Sequence, residues 1–232
     1  MATIKENIQE VHRRLAKACT DGARPPSAVR LLVVSKTFDA AAVREAHAAG
    51  ERAFGENYVQ EALDKIAALA DLRAGIEWHL IGPLQSNKTR VVAESFDWVH
   101  TVDRLKIAQR LSEQRPEGLA PLQVCLQVNI SGEASKSGLR PEEVPALAAQ
   151  IAQLPRLRLR GLMAIPEPAG DLEAQRRPHR QLAELLRQLQ GQGLDLDTLS
   201  MGMSADLEAA VLEGATLVRV GSAIFGSRPA PI

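Results

Sequence analysis

Cysteine, aromatic side chains and net charge are the three things this chain has least of, and each shortage closes off a class of function. Cys19 and Cys125 are the only cysteines, and neither has a near neighbour that completes a metal site. Both therefore read as reduced, structural thiols. Lysine plus arginine equals aspartate plus glutamate at 28 each, which removes the long-range positive field that nucleic acid or an anionic membrane surface requires. No run of about 18 apolar residues occurs, and Met1 to Glu10 is polar and mixed in charge, so the expectation is a soluble, cytoplasmic protein. Aromatics make up 3% of the chain against 45% hydrophobic residues overall. That balance predicts one large aliphatic core and one domain over residues 1–232.

What is present is an alternation. Ile4, Ile8, Val11, Leu15 and Ala18 recur at helical spacing, predicting an opening helix that ends near Gly22 and the Pro25-Pro26 pair. Short apolar runs then alternate with helical stretches. The strand candidates are Arg30 to Thr37, Ala53 to Asn57, Glu77 to Gly82, Trp98 to Val102, Leu122 to Ile130, Leu157 to Ile165, Leu199 to Met203 and Thr216 to Ile224. Between them helical patterns lie around 39–49, 58–70, 87–93, 105–114, 141–152, 173–189 and 205–212. Eight such units without a long linker predict a (β/α)8 TIM-type barrel with an extra N-terminal helix. No G-x-G-x-x-G follows the first strand, which weakens an open dinucleotide-binding sheet. Pro229 to Ile232 reads as a frayed tail.

Chemistry in such a barrel sits where strands end. Lys36 closes the run Leu31-Leu32-Val33-Val34-Ser35, a position where desolvation lowers an amine toward the nucleophilic range that Schiff-base formation needs. A strand-end lysine that merely reaches water is the competing reading. Asn57 ends the second strand as a hydrogen-bonding group for a planar ligand or as a helix cap. His79 reads first as a satisfied core group. Gln85, Asn87 and Lys88 form a polar loop or a merely solvated one. Ser200 to Ser204 end strand seven and start a helix, and Gly221-Ser222 lie in or just after strand eight, beside the loops where barrels often hold phosphate. Arg219, between Val218 and Val220, must face either a ligand acceptor or a carboxylate such as Glu213 or Asp206.

Several stretches taken together resemble the pyridoxal phosphate homeostasis protein family, whose fold is similar to the N-terminal barrel of alanine racemase. They are Val33 to Thr37, Phe54 to Glu61, Trp78 to Lys88, Val128 to Glu133, Lys136 to Gly138, Gly161 to Ile165, Leu199 to Ser204 and Arg219 to Gly226. The resemblance implies pyridoxal 5′-phosphate as cofactor, with Lys36 carrying the Schiff base, Ser200, Gly221 and Ser222 holding the phosphate, and Arg219 facing the pyridine nitrogen. Asn57 and Met163 line the ring pocket in the same reading. An arginine at that nitrogen keeps it unprotonated and weakens the ring as an electron sink. Relatives often carry a second lysine two positions after the first. This chain has Phe38 there, while Lys136 remains as another amine.

The resemblance thus implies reversible cofactor binding, buffering and delivery, with pyridoxal 5′-phosphate and apo-forms of enzymes that use it as partners, and no turnover. No nucleic-acid or membrane partner is expected, and a monomer is. The alternative is a pyridoxal-phosphate-dependent amino-acid racemase. Barrel racemases need a second domain and a base opposite the lysine, and Tyr58 is the only tyrosine here. A plain scaffold barrel leaves Lys36, Arg219 and the glycine-serine loops unexplained together.

Overall fold

The computed structural model describes residues 2–132 and 137–226. Lys136 and the tail from Pro229 to Ile232, both singled out in the sequence, lie outside the described residues. Eight strands appear in the expected order: β1 (Arg30–Val34), β2 (Ala53–Glu56), β3 (Glu77–Leu80), β4 (Trp98–Val102), β5 (Leu122–Gln127), β6 (Leu157–Met163), β7 (Thr198–Ser200) and β8 (Leu217–Val220). Each pairs in parallel with the next, and β8 returns to β1 with Leu31 opposite Val218 and Val33 opposite Val220, closing a barrel. Leu31 to Val34, Phe54 and Val218 are buried, as fits strands covered on both faces.

Helices fill the crossovers: α1 (Ile4–Asp21) precedes the barrel, and α2 (Ala40–Ala48), α3 (Val59–Ala68), α4 (Thr89–Ser95), α5 (Leu105–Gln114), α6 (Val144–Ile151), α7 (Leu172–Gly191), α8 (Leu207–Leu212) and α9 (Ser222–Phe225) follow β1 to β8 in turn. Local chemistry sets their starts. Thr3 and Glu6 form a reciprocal capping box on α1, while Asp39 and Asp171 cap α2 and α7 through the amides of Ala42 and Ala174.

The sequence reading overextends most strands by one to a few residues, and at the last one it errs in kind. Thr216 to Ile224 reads as a single strand, but β8 stops at Val220 and Ser222 to Phe225 make a helical turn. A short apolar run does not distinguish the two by itself. Here the buried Ile224 instead packs beneath α1, whose Asn7 amide donates to its carbonyl at 2.7 Å. Arg14 of α1 likewise spans to α8, with a two-pronged bond to Glu208 and a third to the carbonyl of Ser204. The extra helix therefore straps the seam where the first and last barrel units meet.

One glycine is fixed by proximity. A Cβ on Gly161 of β6 would sit 1.8 Å from the carbonyl oxygen of Thr198 on β7. Gly161→Ala must push these strands apart, so urea denaturation should register a loss of about 3 kcal/mol, the upper range for overpacking; an unchanged midpoint would show that the strands yield freely.

Candidate functional site

The C-terminal mouth of the barrel gathers Lys36 from the end of β1, Asn57 after β2, Arg219 from β8 and Gly221-Ser222 beyond it around one recess of about 160 Å³. Ile81, Ile165, Met203, Ser204 and Phe38 complete most of its wall. A second recess of about 340 Å³ adjoins it and shares Asn57, Ile81 and Ile165. Together they fall in the size range of cofactor sites, about 300–1,000 Å³.

Lys36 owes its position to a clamp beneath it. Ser35 is fully buried and donates through its hydroxyl to Glu56 Oε1 at 2.6 Å. Lys65 on α3, 5% exposed, donates to that same oxygen and to the Ser35 carbonyl at 2.8 Å each, and to Glu61 at 2.6 Å. Glu61 also accepts the Thr37 amide at 2.6 Å. Thr37 carries a φ of 69°, a left-handed value unfavourable for a β-branched residue. Ser35 and Thr37, the neighbours of Lys36 in sequence, are thus both tied to this buried cluster. Burial pushes the Glu56 carboxyl above its ordinary range, against the pull of Lys65 and Ser35.

Arg219 is 4% exposed, and its guanidinium bonds only to neutral oxygens, donating to Ser200 Oγ at 2.8 Å and to the Ala164 carbonyl at 2.9 Å. The two carboxylates named as alternative partners are engaged elsewhere. Glu213 pairs with Arg176 and Arg180, and Asp206 with His179. Burial lowers the Arg219 guanidinium to about 10, with Asp206 and Cys125 opposing at a distance. The arginine remains a cation and meets the recess without a carboxylate in contact.

Asn57 does not cap α3, whose N-cap is Tyr58, and its Oδ1 is buried without a partner. Gly82 permits its placement, since a Cβ there would stand 2.1 Å from the Asn57 carbonyl. Ser222 and Ser204 place their hydroxyls 3.3 Å apart on the recess wall. Phe38, where relatives often have lysine, stacks on Phe225 with ring centroids 4.7 Å apart and forms an apolar flank.

Five of the seven residues singled out in the sequence, Lys36, Asn57, Arg219, Gly221 and Ser222, line the recess. Ser200 and Met163 do not. Ser200 is fully buried between Arg219 and His100, and Met163 packs with Trp98 and Cys125 inside the barrel. Ser204, four residues beyond Ser200, reaches the mouth in its place. Gln85, Asn87 and Lys88 are exposed and stand away from both recesses. His79 is a fully buried, hydrogen-bonded core group. Both cysteines are buried free thiols, and burial drives Cys125 up to about 12.

Sequence reasoning missed Glu56, Lys65 and His100. A signal existed for Lys65, which follows Glu61 by four residues on a helix. His100 offered none beyond the inward parity it shares with Trp98.

The family pattern described as alanine racemase, N-terminal domain, matches residues 1–229. The pyridoxal phosphate homeostasis protein of Pseudomonas aeruginosa is 65% identical over 228 residues, covering 98% of this chain and 97% of its own length. That of Escherichia coli K12 is 53% identical, with 98% of each chain covered. The chain belongs to the pyridoxal phosphate homeostasis protein family. A solved structure of similar fold is PipY of Synechococcus elongatus PCC7942 with PLP bound, at 42% identity and a TM-score of 0.80 over 93% of this chain and 100% of that one. Of the stretches that carry the family likeness, those holding Lys36, Asn57, Gly82 and Arg219 converge at the mouth.

Proposed function

We propose that the protein holds pyridoxal 5′-phosphate reversibly on Lys36 and thereby keeps the supply of that cofactor in balance, without turning over a substrate. The observation that carries this reading is the pairing, across one recess, of a strand-end amine with a buried arginine that has donors and no contacting carboxylate. Condensation of the amine with the cofactor's aldehyde releases one water, and hydrolysis reverses it. The residues present fit the group. Arg219 faces the pyridine nitrogen and, as a donor, keeps that nitrogen unprotonated. The orphaned Asn57 amide supplies a polar contact at the ring, and the hydroxyls of Ser222 and Ser204, beside Gly221, receive the phosphate. Ser200 and Met163 act from beneath, Ser200 by fixing the arginine and Met163 by filling the barrel under it.

Titrating pyridoxal 5′-phosphate into wild type and Arg219→Ala tests the reading. The variant loses the donor to the ring nitrogen, about 1–3 kcal/mol, so its affinity should fall roughly 5- to 150-fold without vanishing. Equal affinities would remove Arg219 from the site.

A non-catalytic role accords with the homeostasis name of the relatives and is open to direct test. Among the described residues lining the recess no tyrosine, histidine or carboxylate is present, and Tyr58 is 56% exposed elsewhere. Incubation of the loaded protein with L- or D-alanine should leave its configuration unchanged by chiral chromatography; steady inversion would establish a racemase instead. No helix among the described residues is long and apolar enough to cross a membrane. A cytoplasmic monomer that passes the cofactor to apo-enzymes completes the proposal.

A further inference from the structure

A line of polar groups crosses the barrel interior from the recess to the opposite mouth. Arg219 Nη1 lies 2.8 Å from Ser200 Oγ, Ser200 Oγ 2.8 Å from His100 Nδ1, His100 Nε2 2.8 Å from His79 Nδ1, and His79 Nε2 2.8 Å from Glu77 Oε1. Ser200, His100 and His79 are wholly buried. His79 also stacks on Trp98 at 5.2 Å, which fixes its ring plane. Glu77 begins β3 at the N-terminal end of the barrel, where Arg30 donates to it at 2.8 Å.

With both imidazoles neutral, the contacts admit one order of protons. A guanidinium only donates, and so does a neutral imidazole N–H facing a carboxylate. His79 therefore carries its hydrogen on Nε2, toward Glu77, and its Nδ1 accepts. His100 then carries its hydrogen on Nε2 as well, and its Nδ1 accepts from the Ser200 hydroxyl, whose oxygen accepts from Arg219. Every link points the same way, from cation to carboxylate. The reverse order needs a charged His79 in a fully buried place. Burial opposes that, holding His79 below its ordinary range despite Glu77 and His100 well below it. For Glu77 burial works to raise the carboxyl, but the hydrogen bond from His79 and the charge and hydrogen bond of Arg30 outweigh it and hold it below its ordinary range, so it stays an anion at neutral pH.

We propose that Glu77, His79 and His100 are positioning residues for the cofactor site: a one-way hydrogen-bonded chain anchored on the Glu77 carboxylate holds Arg219 in the orientation from which it donates to the pyridine nitrogen. The inference rests on the reading that Arg219 faces that nitrogen. Hydrogen bonds in series polarise one another, so a carboxylate at the end makes each nitrogen up the chain a better acceptor and the Ser200 oxygen a firmer anchor. Arg219, with no carboxylate in contact, has its counter-charge delivered through the barrel.

Two measurements test this. Nitrogen-15 spectra of the cofactor-free protein should show His79 and His100 as neutral Nε2–H tautomers; a hydrogen on Nδ1 of either ring overturns the chain. The second compares binding of pyridoxal 5′-phosphate with that of its analogue bearing C–H in place of the ring nitrogen. Wild type should prefer the natural cofactor about tenfold, the worth of one charge-assisted bond. Glu77→Gln keeps an acceptor for His79 but removes the charge, and should shrink the preference to about threefold or less while leaving the analogue's affinity unchanged. Equal weakening of both compounds would mean a merely structural role and overturns the proposal, as does an undiminished preference. Wild type that binds neither compound defeats the cofactor reading and this inference with it, whereas undiminished preference with binding intact defeats the inference alone.

Discussion

Lys36→Ala is expected to take up pyridoxal 5′-phosphate without turning yellow. Among the described residues Lys36 is the one lysine on the wall of the recess, and its neighbours Ser35 and Thr37 are both held by the buried cluster beneath it. Without that amine no bond to the aldehyde forms, while Arg219, Asn57 and the serine hydroxyls still offer contacts. The visible absorption band should vanish completely. Borohydride reduction followed by peptide mass mapping should mark Lys36 in wild type and leave the corresponding peptide of the variant unmodified. A band of wild-type strength in Lys36→Ala would assign the linkage to another lysine.

The second large effect belongs to a residue that never touches the cofactor. Lys65→Met leaves Glu56, fully buried, without its cation. Breaking a buried pair from one side costs about 3–5 kcal/mol. The loss should also depend on pH. In the unfolded chain Glu56 titrates near the ordinary value of about 4.3, whereas in the folded variant burial holds its carboxyl higher still than in wild type. Stability is therefore least affected below about pH 4 and falls as pH rises toward the raised folded value, by up to about 1.4 kcal/mol per unit. Urea denaturation at several pH values checks the slope, and Glu56→Gln with Lys65→Met should restore most of the loss. A pH-independent deficit would locate the cost in packing instead.

The barrel was legible because its signal is repeated: each unit alternates an apolar run with a helical stretch, and errors at one boundary do not propagate. Ile224 was misread because the short apolar run Ala223-Ile224-Phe225 fits strand and helix equally, and only the burial of Ile224 under α1 decides. Within the site, Lys36 and Arg219 stood out as charges set in apolar runs. Ser200 and Met163 entered the expected site through the family resemblance, and neither resemblance nor strand parity gives a residue's depth along the barrel axis. β7 ends at Ser200, so that side chain falls inside and Ser204 reaches the mouth. The line from Glu77 to Arg219 was invisible for a related reason. Its members sit on four strands, and the His100–Ser200 link joins positions 100 residues apart.

The seam closed by α1, β1 and β8 has a consequence for the order in which the protein comes to exist. A chain growing from its N-terminus makes Lys36 well before Arg219, Gly221 and Ser222, and contacts this distant in sequence form only once both partners are present. Until the stretch from Leu217 to Phe225 leaves the ribosome, the amine stands at an open barrel edge with neither its arginine nor its serine at hand. On the proposed reading, cofactor capture therefore has to wait for β8, since a chain without it lacks Arg219, Gly221 and Ser222 on the recess wall.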